Sequence, residues 1–336
     1  MQAERYGMVE PPSLTPAPAD STMPLPWSCP LPLMLAPMQG LTNRGLRRAY
    51  GEHVRPDLLF TEFVRVRPGS PQPVAASDFV EAVSVVPGIP LVVQVIGCAS
   101  EGVIEATTEL VAAGVAHINV NMGCPWGRMT SVLAGGGMFR APETVAPMLR
   151  KLRAIVPGSL SVKTRTGIDD ERQIFDVLPA FADAGIDFLV VHSRTVAQKY
   201  RGQANHVLTT EIVDAIGLPV IANGDVRSVD DAQAVLAQTG AAGLMLGRGA
   251  LADPHLFGRI RGTAPATPTS TQRKAELAAL WHDLLDDYVD IFAGDAQVLS
   301  KFGSLTRHVD DPDLKHWLKG LKKARRVTQL RKALGR

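Results

Sequence analysis

Eight short apolar runs, each separated from the next by a longer segment of helical periodicity, constrain this chain more than any other feature. They are Leu33 to Ala36, Leu58 to Thr61, Leu91 to Val95, His117 to Val120, Leu160 to Lys163, Phe188 to Val191, Pro219 to Ala222 and Gly243 to Leu246. Short apolar runs of this kind suit strands buried on both faces, and a helix between successive strands makes them parallel. Eight such units in about 220 residues predict an α/β fold, the (β/α)8 TIM barrel. Three of the intervening helices close on similar phrases, Ala112-Ala113-Gly114, Asp183-Ala184-Gly185 and Gln238-Thr239-Gly240, with glycine where a left-handed cap belongs. A doubly wound open sheet alternates strand and helix too. Against it, no GxGxxG follows the first run, and polar residues cluster after most runs rather than after one or two.

The flanks read differently. Residues 1–30 carry Pro11, Pro12, Pro16, Pro18, Pro24, Pro26 and Pro30 among small and polar residues, which predicts a flexible tail. The barrel is expected over 31–262. A Pro/Thr-rich linker, Gly262 to Ser270, precedes an all-helical domain expected over 271–336. That last part is charge-polarised: Glu276, Asp283, Asp286, Asp287 and Asp290 come first, then Lys315, Lys319, Lys322, Lys323, Arg325, Arg326, Arg331, Lys332 and Arg336. Solvated helix faces are the plain reading of such runs. A basic helical appendage on a barrel also suits an anionic macromolecule.

Bulk properties exclude several classes. With 336 residues, 46% hydrophobic and 20% charged, the chain is neither fibrous nor disordered. Cys29, Cys98 and Cys124 are odd in number and far apart, so no disulfide framework or zinc site is indicated. Charged residues and prolines near the start argue against a secretory signal, and no stretch reads as a membrane span. A cytoplasmic monomer with no membrane association is expected.

In a barrel of this kind the active site lies where the strands end. The residues closing the eight runs are Pro37-Met38-Gln39, Glu62, Gln94, Asn121 with Cys124, Lys163 with Arg165, His192 with Arg194, Asn223-Gly224-Asp225 and Gly247-Arg248. An amide, a lysine, an imidazole and a thiol on separate strands predict a reacting site rather than a structural rim. Glycines where the last two strands hand over to helices suit either tight turns or a phosphate. Lys163 can hold negative charge over the barrel centre and Gln94 can read a heterocycle's edge, as a bound flavin mononucleotide requires.

The stretch Asn121-Met122-Gly123-Cys124-Pro125 sets a thiol at a sharp corner after the fourth run. A free cysteine is often a small buried hydrophobe. At its ordinary pKa of about 8.5 it is mostly protonated at neutral pH, which suits a proton donor better than a nucleophile.

These phrases together are familiar. Ala36-Pro37-Met38, Thr61 to Val66, Gln94, Asn121 to Pro125, Lys163 to Gly167, His192 to Thr195, Val220 to Asp225 and Gly247 to Gly249 resemble the tRNA-dihydrouridine synthases, flavin enzymes that reduce uridine in tRNA. The resemblance runs from about residue 33 to 260. It implies an oxidoreductase acting on a CH-CH group, with FMN held by Pro37, Met38, Gln39, Gln94, Lys163, His192, Asn223, Gly224, Asp225, Gly247 and Arg248. It implies NADPH, or NADH, as reductant and Cys124 as proton donor to a uridine of the tRNA, with the D-loop as its place. Asn121 and Arg165 are expected to contact the base and Tyr200 to border it, while the C-terminal helices grip tRNA phosphates.

The Thr61 to Val66 phrase, Gly135-Gly136-Gly137 and Lys315-His316-Trp317-Leu318 look most like the bacterial class C branch; Asn121-Met122 and Asp225 look more like class B. Two departures stand out: Trp126-Gly127-Arg128 where small residues and lysine are usual, and His192-Ser193-Arg194 for His-Gly-Arg. The alternative enzyme is another FMN-dependent barrel oxidoreductase acting on a small pyrimidine or enone. An RNA-binding protein on an inactive barrel leaves Cys124, Lys163 and His192 without a purpose.

Overall fold

The computed structural model describes residues 25–335. The strands are β1 (Leu33–Leu35), β2 (Leu59–Phe60), β3 (Val64–Arg65), β4 (Leu91–Ile96), β5 (His117–Met122), β6 (Leu160–Thr164), β7 (Phe188–His192), β8 (Val220–Asn223) and β9 (Gly243–Leu246). All neighbours pair in parallel in the order β1-β9-β8-β7-β6-β5-β4-β2. A parallel bridge between Met34 and Leu58, with Leu35 N–H donating to Leu58 O at 3.1 Å, brings the ends of that order together. The eight apolar runs are thus the eight staves of a nearly closed barrel.

The ninth strand, β3, was not visible as a run. Leu59 pairs with Leu91 and Phe60 with Val92, whereas Val64 pairs with Val95. The three residues 61–63 therefore face the two residues 93–94, which is a bulge. Phe63 within the bulge and Arg65 just after it both line the barrel mouth.

The main helices are α1 (Arg44–His53), α2 (Ala76–Val83), α3 (Glu101–Ala112), α4 (Gly127–Thr130), α5 (Val145–Ile155), α6 (Ile174–Asp183), α7 (His206–Ile216), α8 (Val229–Thr239), α9 (Arg248–Ala252), α10 (Leu256–Ile260), α11 (Ser270–Ile291), α12 (Gly294–Thr306), α13 (Lys315–Lys322) and α14 (Val327–Leu334). Gly114, Gly185 and Gly240, the ends of the repeated phrase, have φ of 93°, 70° and 61°, the left-handed caps the sequence asks for. The barrel interior is filled by Met34, Leu58, Phe60, Val92, Phe188, Val190, Ile221 and Met245. The expected tail falls partly on residues 1–24, outside the described residues; at 25–30 the chain reaches the barrel, where Trp27 meets Phe188 edge-on at 4.9 Å.

The linker ends at Thr269, which caps α11 reciprocally with Gln272. The acidic side of α11 is more than a solvated face. Asp287 pairs with Arg48 at 2.5 Å and Asp283 with His53 at 2.7 Å, both on α1, while Glu276 pairs with the buried Arg259. One apolar core runs from β1 and α1 through Trp281, Leu284 and Tyr288 of α11 to Leu330 and Leu334 of α14. No helix among the described residues is long and apolar enough to cross a membrane.

Candidate active site

A cavity of about 760 Å³ opens at the carboxyl ends of the strands. All fifteen residues expected to hold the flavin, contact the base or donate the proton line it: Pro37, Met38 and Gln39 after β1; Gln94 on β4; Asn121 and Cys124 from β5; Lys163 and Arg165 from β6; His192 and Tyr200 from β7; Asn223, Gly224 and Asp225 from β8; Gly247 and Arg248 from β9. Parallel strands pointing the same way force this convergence. Glu62 and Arg194 of the expected ring do not line it. Glu62 accepts from Gly40 N–H at 2.6 Å, and burial raises its carboxyl's pKa. Arg194 lies behind the wall, only 1% exposed.

An amide chain forms one wall. Asn121 Nδ2 donates to Gln94 Oε1 at 2.7 Å, Gln94 Nε2 to Asn119 Oδ1 at 2.7 Å, and Asn119 Nδ2 to Ser161 Oγ at 2.8 Å. Each amide is thereby fixed in orientation, since its neighbours leave one choice of donor and acceptor. Asn121 Oδ1 also accepts from Gly123 N–H at 3.0 Å and Cys124 N–H at 2.9 Å, which holds the thiol corner against the wall. Behind that corner the glycine triplet turns as a tight helical segment. A Cβ on Gly135 would come within 2.9 Å of Cys124 Cβ, and one on Gly137 within 2.6 Å of Thr130 O. The triplet is there because nothing larger fits.

Cys124 is buried, and burial pushes its thiol above its ordinary pKa; the Trp126 N–H and the charges of Arg165 and Arg65 offset only part of that. The thiol is protonated at neutral pH. Lys163 Nζ donates to Asn223 Oδ1 at 2.9 Å, and Asn223 Nδ2 donates to Met245 O at 2.8 Å. Burial, with Arg165 nearby, brings the Lys163 pKa down to about 7. His192 is driven well below its usual value by burial and by Lys163, Arg165, Arg194 and Arg248 around it, so its ring is neutral.

Arg165 donates from Nε to Gly123 O at 3.0 Å and from a terminal nitrogen to Thr195 O at 2.8 Å. Burial lowers its pKa to about 10, which leaves it charged. Asp225 has a different part from the other strand-end residues. Its carboxylate accepts from Arg194 at 2.6 Å, from Ala204 N–H at 2.8 Å and from Arg248 at 3.3 Å. Burial alone would raise its pKa, but those partners bring it below the ordinary carboxylate value. Asp225 thus faces arginines and holds Arg248 at the cavity.

Among the lining residues with no site role expected from the sequence are Phe63, Arg65, Trp126, Arg227 and His308. Arg65 was within reach of sequence reading, because it alternates with Phe63 in the Thr61 to Val66 phrase. His308 was not, since it arrives from the turn after α12. Burial and the charges of Arg248 and Arg307 lower its pKa.

Fold and site define a (β/α)8 barrel whose cationic mouth carries a protonated thiol. The chain belongs to the dihydrouridine synthase family, whose description, Dihydrouridine synthase (Dus), matches residues 34–329. A tRNA-dihydrouridine(16) synthase of Cupriavidus necator is 35% identical over 253 residues, covering 71% of this chain and 76% of that protein. A tRNA-dihydrouridine(16) synthase of Pasteurella multocida is 30% identical over 299 residues, covering 87% and 90%. The tRNA-dihydrouridine synthase B of the same organism is 32% identical over 230 residues, covering 67% of each. Among solved structures, a variant of NCR from Zymomonas mobilis superposes with a TM-score of 0.50 at 14% identity, over 72% of this chain and 89% of that one; the likeness is one of fold.

Proposed function

We propose that this chain is a tRNA-dihydrouridine synthase that uses FMN and NADPH, or NADH, to reduce the C5–C6 double bond of a uridine in tRNA. One observation carries the reading: a thiol and a lysine share a cavity with fixed amides and arginines, in a member of this family. The donor set fits FMN. Lys163 is a half-buried amine whose only hydrogen bond among the described residues is to an amide, so an electron-rich ring edge or an anion completes it. Arg248, His192 and the backbone at Gly224 and Gly247 suit a phosphate, with Asp225 orienting Arg248. Pro37, Met38 and Gln39 wall the ring on the β1 side, and Gln94 presents its fixed amide.

When bound and reduced, FMN supplies hydride to C6 of the uracil. Cys124 holds the matching proton at Sγ and gives it to C5. Asn121 and Arg165 both bond to the thiol corner and orient the base there, with Tyr200 bordering it. A loop uridine has to be turned out of its stack to reach this depth. The exposed Lys322, Lys323, Arg325 and Arg326 take the tRNA backbone. The relatives named for position 16 make uridine 16 of the D-loop the first position to examine.

The test is direct. The purified protein should carry FMN, or bind it, and form dihydrouridine in tRNA from cells lacking the gene when NADPH is supplied. A protein that FMN does not reconstitute, or one that reduces a free pyrimidine and leaves tRNA unchanged, overturns the reading.

A further inference from the structure

Trp126 is the exposed aromatic that the reaction leaves unused. Of the four tryptophans, Trp281 stacks on Trp317 at 5.5 Å and Trp27 packs edge-on to Phe188. Trp126 has no aromatic partner among the described residues, and it is 56% exposed although it lines the cavity. An exposed indole at the mouth of a site offers a face on which a nucleobase can stack.

Its setting is built rather than incidental. Met129 N–H donates to Trp126 O at 2.9 Å, Ala134 N–H to Met129 O at 3.0 Å and Gly136 N–H to Cys124 O at 3.2 Å, so the segment closes on itself. Lys199 sits opposite in a left-handed conformation, φ 52°, with Nζ 5.3 Å from the centre of the indole ring. An ammonium over an indole holds the ring in place and adds positive charge beside it. The main-chain N–H of Trp126 also faces the Cys124 sulfur. Residues two apart in a chain are separated by at most about 7 Å, so the indole stands one short step from the proton donor.

We propose that Trp126 is a stacking platform for the nucleobase next to the uridine that is reduced, with Lys199 bracing the ring and attracting the adjoining phosphate. The proposal rests on the reading of the chain as a tRNA-dihydrouridine synthase. The ligand is single-stranded RNA in a loop, because only an unpaired neighbour can offer its face once the target base has turned out. Tyr200 is placed for the target base instead, its ring lying 5.5 Å from the Arg165 guanidinium and 5.1 Å from that of Arg248.

The experiment pairs a protein change with a substrate change. A tRNA is assembled by ligation with the reduced uridine intact and an abasic nucleotide on its 5′ or its 3′ side. Dihydrouridine formation is followed as kcat/KM for the wild type, Trp126→Ala and Trp126→Phe. One abasic flank is expected to cost the wild type roughly tenfold, the size of one base–aromatic stack. The same flank should cost Trp126→Ala almost nothing, and Trp126→Phe should recover most of the difference. Equal abasic penalties in the wild type and Trp126→Ala at both flanks overturn the platform while leaving the tRNA reading intact. No dihydrouridine from the wild type on any tRNA overturns both.

Discussion

Lys163 Nζ reaches Asn223 Oδ1 at 2.9 Å, so a lysine on β6 is tied to an amide on β8 across the end of β7. Desolvation, with the Arg165 charge beside it, brings the pKa of this nitrogen down to about 7, and an amide dipole is a weak partner to offset that. An electron-rich ligand against this nitrogen raises the pKa again, so binding takes up a proton above pH 7. FMN affinity is expected to fall by up to about tenfold per pH unit as pH rises from about 7 toward the ordinary lysine range. Stability of the free protein moves the other way: the unfolded chain binds more protons across that window, so stability rises with pH. Titrating FMN by fluorescence quenching on both sides of neutrality, in the wild type and in Lys163→Met, checks the first point. A pH-independent wild-type affinity would show that Lys163 does not face the flavin.

Cys124→Ala is expected to lower dihydrouridine formation by about 10²–10⁴-fold, the usual worth of a positioned acid. Since burial raises the thiol's pKa, wild-type activity should stay level through the ordinary thiol range and decline only above it. A decline near neutral pH that persists in Cys124→Ala belongs to another group. Single-turnover product formation from reduced enzyme isolates this step.

How much of this was legible follows from what is local. Strand ends are local, and parallel strands deliver them to one mouth, so the thiol, the lysine and the amides could be read together. Register is not local: the bulge at 61–63 depends on which residues of β4 pair across it. The acidic side of α11 looked solvated because its partners on α1 lie far upstream, with Arg48 and Asp287 239 residues apart. His308 escaped notice for the same reason, as its place depends on how the turn after α12 packs against the barrel. Asp225 was visible as a strand-end acid, but its attachment to the buried Arg194 was not.

That attachment has a cost when broken. Asp225→Ala leaves Arg194, 1% exposed, with carbonyl partners at Arg201 and Gly202 but no counter-charge. A loss of about 3 kcal/mol is expected, the lower end for a broken buried pair because Asp225 itself is partly exposed. Because the carboxyl's pKa is depressed, this contribution is present above the unfolded pKa and fades as pH falls through the folded one. Urea unfolding of the wild type and the variant, at neutral and at acidic pH, should show the difference shrinking in acid.

Gly137→Ala tests the packing behind the thiol corner. Its added methyl would meet Thr130 O at 2.6 Å and Thr130 Cα at 2.9 Å, backbone atoms that cannot swing aside. Overpacking of this kind costs about 1–3 kcal/mol. Thermal unfolding measures the stability loss. Alkylation of Cys124 by iodoacetamide should also become faster if α4 is pushed outward, and an unchanged rate would mean that the strain is absorbed elsewhere.

The basic end of the chain can be separated from the barrel by its response to salt. Lys322, Lys323, Arg325 and Arg326 are all exposed, and none of their side chains has an ion-pair partner among the described residues, whereas Arg331 is paired with Asp286 at 2.5 Å. Four free cations in five positions can displace counterions from a phosphate backbone, and each phosphate neutralised steepens the dependence of log affinity on log salt by about one. Replacing these four with glutamine should weaken tRNA binding and flatten that slope by up to about four. Replacing Arg331 alone should change the slope little, because its charge is already spent on α11. Filter binding across a salt series measures both; an unaltered slope in the quadruple variant would place the tRNA elsewhere on the protein.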